Sequence, residues 1–528
     1  MPESEPTTAP TRKPDPLAPV VVGIGSTTIA DVVRVARDEA PVVIADDALA
    51  AIAASRTRIE VLADDPTPVY GISTGFGALA TRHIPAELRT KLQRSLIRSH
   101  AAGSGPEVER EVIRAMMLLR LSTLATGRTG VRPEVAQAYA GLLSAGLTPV
   151  VHEYGSLGCS GDLAPLAHVA LAIIGEGHVR TVDGTLVPAA EALSAHGLEP
   201  IVLAEKEGLA LINGTDGMLG QLVLALTDLN RLLILADVAA AMSVEGLLGS
   251  DKVFAPHLQA LRPQPGQAVA AANMTRILAG SPIVASHSGP DCPLVQDAYS
   301  LRCAPQVAGA ARDTVAHAHN VATWELASII DNPVVTLDGQ VESNGNFHGA
   351  PVAYVLDFLA IVVADVAGIS ERRTDRFLDP SRSHGLNAFL ADDPGVDSGH
   401  MIAQYTQAAI VSELKRLASP ASVDSIPSSA MQEDHVSMGW SAARKLRKAI
   451  DGLTRVLAIE VLTAARGIDM RAPLEPAPAT GAVVAAVRTR VPGPGADRHL
   501  APEIEAVVQL AHDGSLVAAA ESMTGPLA

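Results

Sequence analysis

An all-α chain, with a long central helix bundle and a mixed, mainly helical N-terminal domain, is what this sequence predicts. Three observations point there. Hydrophobic residues make up 48% of the 528 and charged residues 18%, so a large core can be buried. Aromatic residues are only 3%, and Ala, Leu and Val dominate, which suits helices packed on helices. Finally, apolar residues recur at helical spacing over unusually long segments.

Taken in order, residues 1–18, "MPESEPTTAPTRKPDPLA", are rich in Pro, Thr and charge and are expected to be a disordered tail. Residues 19–215 alternate short apolar pieces with Gly- and Pro-marked turns such as "YGISTGFGALA" and "ATGRTGVRP". Between these lie helical patterns such as "EVEREVIRAMMLLRLSTLA". From 216 to 470 the periodic segments lengthen, over 217–247, 306–330, 351–376, 401–418 and 438–467, which describes a bundle. Residues 471–528 open on "PLEPAPATG", carry the turn-rich "VPGPGADRH", and predict a cap of one or two short helices.

A net charge of −17 argues against a nucleic-acid partner. Three cysteines, Cys159, Cys292 and Cys303, without paired metal spacing fit a reducing compartment, and a cytoplasmic location is expected. The most apolar runs carry Asp228, Arg231, Asp237, Asp357 and Asp365, so bundle helices are expected in place of membrane spans. His317 and His319 are two apart, do not share a helix face, and are not read as a metal site. "VVVGIGSTTIADVVRVA" imitates a dinucleotide loop but has Thr28 in place of a third glycine and no evident βαβ context, so no cofactor is assigned to it.

The chemistry concentrates in "GCSGDLAPLAH". Read alone, Ser160 or Asp162 caps a helix starting near Leu163. Alternatively, attack of the Gly161 nitrogen on the Cys159 carbonyl closes a five-membered ring. Loss of water and of the Ser160 hydroxyl then leaves an exocyclic methylene, an electrophile no side chain supplies. Glycine allows the close backbone approach, and only a β-hydroxyl gives the methylene. Around this segment stand "YGISTGFG", "LINGTDGM", "QDAYSLRCAPQ", "SNGNFHGAPVA", "SERRTDR" and "MQEDHVSMG".

In that order, these motifs resemble those of the aromatic amino-acid ammonia-lyase and aminomutase family. The resemblance runs from about residue 20 over nearly the whole chain. It implies a fumarase/aspartase-like helix bundle and a 4-methylideneimidazol-5-one (MIO) group formed from Cys159, Ser160 and Gly161, with no external cofactor and no metal. It implies Tyr70 as the base that removes the β-proton, in a site that favours phenolate. Arg302 is the implied carboxylate clamp, and the amide of Asn213 would donate to the substrate carboxylate and the MIO oxygen. Tyr299 would support ring formation, while Gln296 and Phe347 would line the pocket.

Ser99-His100 stands where phenylalanine-specific members carry an apolar pair and tyrosine-specific ones a His-based pair, and Glu433 where the phenylalanine enzymes carry an uncharged residue. An imidazole needs partners for its ring nitrogens, and a phenyl ring would leave these groups unpaired. The resemblance therefore points to conversion of L-histidine to trans-urocanate and ammonia. Action on another aromatic amino acid, tyrosine or phenylalanine, by a lyase or aminomutase is the alternative. It further implies a homotetramer with shared sites, Tyr70 arriving from a different chain than Ser160. Cys159 stands where most members have Ala, and Leu414 and Met431 where asparagines are expected.

Overall fold

A computed structural model describes residues 18–65, 68–289 and 295–528. Of the proposed tail only Ala18 is among them, and Cys292 lies outside. By contacts the chain forms two compact units interleaved along the sequence, where the reading above drew serial segments. One comprises residues up to Val223 with Thr323–Gly349 and Ser425–Trp440; the other comprises Leu224–Ala322, Ala350–Asp424 and Ser441–Ala528.

In the first unit the helix Arg110–Ala125 is buried along almost its full length, and Pro133–Ser144 carries Pro at its first turn. Short ladders trim this core. Ser104–Glu107 pairs antiparallel with His152–Tyr154, and Thr148–Pro149, His178–Arg180 and Leu186–Pro188 form a three-stranded sheet. One expectation is corrected here. Val20–Val22 and Val42–Ile44 pair in parallel across the helix Ile29–Arg37, so a small βαβ unit is present after all. Its helix start is closed by a capping box between Thr28 and Asp31, which engages the amides an anion would need.

The second unit is built on long helices. The predicted segments appear as Asp216–Gly246, Ala304–Leu326, Ala350–Leu378, Met401–Leu417 and Gly439–Asp469, the first and last beginning in the other unit. Their burial differs: Met401–Leu417 buries a single stripe, Ala403, Gln407, Val411 and Leu414, whereas Gly439–Asp469 is buried along most of its length. Glu460 ties three of them, accepting from Ser243 at 2.6 Å, Ser370 at 2.5 Å and Arg373 at 2.5 Å. Leu414, one of the positions departing from the family pattern, is buried against Gly452 in this core. Three helices follow where one or two were expected: Pro478–Arg488, Leu500–His512 and Ser515–Thr524.

Among the described residues one helix, Ala350–Leu378, is long and apolar enough to cross a membrane, and 56% of its most apolar window is buried. Its Asp357 is buried, pairs with Lys445 and accepts the Ser422 amide at 2.7 Å, so neighbouring segments neutralise the charge.

Candidate active site

The Cys159-Ser160-Gly161 turn lies between the strand His152–Tyr154 and the helix Leu163–Ile173. Gly161 has φ +77°, and a Cβ there would sit 2.0 Å from the Gly214 carbonyl oxygen. Only glycine meets both demands. The Asp162 amide donates to that same carbonyl at 2.7 Å, and Gly161 bridges to Gly214 in parallel. Two helices, Leu163–Ile173 and Asp216–Gly246, therefore begin within a few residues of one contact, and both point their positive ends toward it.

The helix-cap expectation is corrected. No side chain caps Leu163–Ile173. Asp162 is fully buried and instead accepts from Ser156 Oγ at 2.9 Å and from the Met218 amide at 2.8 Å, in the first turn of the other helix. Burial pushes its pKa up to about 7 against these hydrogen bonds, and Asp216 adds to the rise.

The segment Ser425–Trp440 clamps the turn from outside. The Met438 amide donates to Leu157 O at 3.0 Å, Ser437 Oγ to Gly158 O at 3.2 Å, and Trp440 Nε1 to Glu153 O at 2.7 Å. This segment carries Glu433, held by a backbone bridge to Ser428 and by Ser428 Oγ donating to Oε2 at 2.8 Å. Met431, exposed and at φ +69°, belongs to the tight turn between them.

Three side chains feel the Glu433 charge. Burial pushes the Cys159 thiol up to about 12, with Glu433 the next cause. Burial also raises Tyr70, opposed by the Gly77 amide that donates to its Oη at 3.3 Å and reinforced by Glu433. His100 is lowered by burial, while the Leu96 carbonyl and Glu433 act the other way. Its Nδ1 lies 2.9 Å from that carbonyl, so Nδ1 carries the proton and Nε2 is left to face a ligand. Two expectations change. One chain alone gathers Tyr70, His100 and Cys159 about Glu433, so a second chain is not needed to deliver Tyr70. These surroundings favour the neutral phenol, not phenolate.

Asn213 is 2% exposed, and its Nδ2 donates to Asn332 O at 2.8 Å. A carbonyl can only accept, so this bond fixes the amide orientation. One of the donors assigned to substrate is thus engaged, and the buried atom without a partner is Oδ1. Asn332 is held in turn by Asn344, whose amide donates to Asn332 Oδ1 and whose Nδ2 donates to Asp331 O, each at 2.9 Å. Asp331 pairs with Lys206 at 2.5 Å, both fully buried. Sequence reasoning missed this support. Asn344 was within its reach in "SNGNFHG", but Lys206 and Asp331 are 125 residues apart and nothing local pairs them.

Phe347 is half-buried in the same unit. Beside it His348 stacks on His435 with centroids 5.5 Å apart, a second pair the sequence reading did not single out. The remaining candidates lie together in the other unit. Tyr299 and Arg302 bound one short helix, with the guanidinium carbon 4.7 Å from the Tyr299 ring centre. Tyr299 is 72% exposed, Gln296 is exposed, and Arg302 Nε is buried without a partner among the described residues. His317 and His319 join no group able to hold a metal among the described residues.

The model of the aromatic amino acid lyase family matches residues 27–489. The chain belongs to this family. It is similar to a histidine ammonia-lyase from Streptomyces coelicolor, 66% identical over 96% of this chain and 99% of that relative. Among solved structures it resembles tyrosine aminomutase from Streptomyces globisporus, with a TM-score of 0.91 and 37% identity over 97% of this chain and 100% of the other. It also resembles histidine ammonia-lyase from Trypanosoma cruzi, with a TM-score of 0.88 and 39% identity over 96% and 95%. The lyase fold seen in these neighbours is the all-α architecture expected from the sequence.

Proposed function

We propose that this aromatic amino acid lyase converts L-histidine to trans-urocanate and ammonia, the first step of histidine degradation. The observation that carries the reading is the polar pair beside the triplet. His100 offers Nε2, and Glu433 a carboxylate already steadied by Ser428, where a phenyl ring would leave the imidazole nitrogen unpaired, at about 1–3 kcal/mol. The high identity to histidine ammonia-lyases supports it.

The family's chemistry implies the MIO group, and the residues present fit it. Gly161 occupies a left-handed turn with no room for a Cβ, so its backbone can make the close approach that ring closure needs. Cys159, Ser160 and Gly161 would form and hold the group, which supplies an electrophile that makes the substrate amine a better leaving group. The chain's own side chains do the rest. Glu433 and His100 orient the imidazole, and Arg302 clamps the carboxylate bidentately. Asn213 presents an acceptor to a substrate N–H. Tyr70 is neutral in the free site; as the substrate's positive charge offsets that of Glu433, its phenol first releases its own proton to water, and the phenolate oxygen then takes the β-proton.

We place this reaction in a cytoplasmic homotetramer with shared sites. What supports sharing is the exposure of Gln296 and Tyr299 on a single chain; light scattering on the purified protein measures the assembly.

Purified protein given L-histidine without added cofactor should produce the urocanate chromophore, while phenylalanine and tyrosine should not react. The likeness to tyrosine aminomutase keeps a second reading in view. Silence on histidine with turnover of tyrosine would establish it. Intact mass reads the MIO group independently: the chain should be lighter by two waters.

A further inference from the structure

Two histidines grip the segment that follows His100, one from each side of the triplet. His168, on the helix Leu163–Ile173, accepts the Gly103 amide on Nε2 at 3.0 Å. His152, in the strand upstream, has Nδ1 3.0 Å from the Gly105 carbonyl, to which it donates. The two rings meet edge to face with centroids 5.6 Å apart. Gly103 is seated so closely that a Cβ would lie 3.0 Å from His168 Nε2, 3.3 Å from His152 Cβ and 3.3 Å from Tyr154 O.

An amide can only donate, so His168 Nε2 must be unprotonated and Nδ1 carries the hydrogen. Its burial and the nearby His152 favour that neutral form. The His168 bond therefore joins the helix that seats the triplet to the main chain three residues beyond His100. His100 sits at the last turn of its own helix, where the following chain sets its angle.

We propose that His168 is a positioning residue for imidazole recognition: through Gly103 it fixes His100 relative to the triplet. The inference rests on the histidine reading above and deepens it, naming what holds the ring-reading side chain in place.

The test compares His168→Leu, which fills the space without an acceptor, with His168→Gln, whose side-chain oxygen reaches the Gly103 amide. Loss of one hydrogen bond to a half-buried amide is expected to raise KM for L-histidine about tenfold in His168→Leu. The kcat should change by less than about threefold, the mass should still be lower by two waters, and His168→Gln should recover most of the KM. In a His100→Ala background, His168→Leu should add nothing further, because both act on one interaction. An unchanged KM in His168→Leu, or a full tenfold effect persisting without His100, overturns the inference. If the wild type is silent on histidine the function above fails instead. The same KM comparison, run on the aromatic amino acid it does turn over, then still decides whether His168 acts through His100.

Discussion

Replacing Asp162 by Asn keeps the shape of a fully buried group and both of its hydrogen bonds while removing its charge. Asn Oδ1 can accept the Met218 amide and Nδ2 can donate to Ser156 Oγ. Burial raises the Asp162 pKa from an ordinary 3.8 to about 7. Three units at about 1.36 kcal/mol each come to ~4 kcal/mol. The sign follows from the direction. The folded chain binds this proton more tightly than the unfolded chain, so the contribution to stability is complete below about pH 4 and is lost as pH rises to about 7. Urea unfolding followed by circular dichroism, from pH 4.5 to 8, covers most of that range and should show wild-type stability falling relative to Asp162→Asn by ~3 kcal/mol, with no further change above about pH 7.5. A difference between the two that stays flat across the window would refute the reasoning, because Asp162 would then carry the same charge in both states.

Ser160→Ala should retain its circular-dichroism spectrum, keep its full unprocessed mass and produce no urocanate; retained turnover would put the electrophile elsewhere. Glu433→Gln should raise KM for L-histidine about 10- to 100-fold by removing a charged partner. It should also shift the pH profile of Cys159 alkylation downward, since Glu433 helps hold that thiol neutral; an unmoved profile contradicts the placement. Lys206→Met leaves Asp331 buried and unpaired and should cost about 3–5 kcal/mol, most of it recovered in the double variant with Asp331→Leu. A double variant no more stable than the single one counts against that account.

The long helices were legible because their signal is local. A segment such as 217–247 declares itself by its own periodicity, and it appears as Asp216–Gly246. The triplet was legible for a different reason, since its chemistry dictates three residue types in a row. What stayed hidden depends on contacts between distant segments. Asp162 looks like the cap of its own helix, and its service to the helix containing Met218 shows only after Gly161 has met Gly214. The direction of the Tyr70 shift needed burial and the Glu433 charge, neither of which "VYGISTGFG" reveals. The parallel pairing of Val20–Val22 with Val42–Ile44 involves three residues a side, too few for a readable pattern.

The clamp on the triplet turn also orders events in time. Ser437 and Gly158 are 279 residues apart, and on a ribosome adding about 5–20 residues per second the clamp emerges roughly 15–55 s after the turn it closes on. Through that interval Cys159, Ser160 and Gly161 are a newly made loop without Glu433 beside them. A chain ended before Ser425 lacks this clamp but keeps the residues of the Gly161–Gly214 contact, so its intact mass tells which of the two the proposed ring closure depends on.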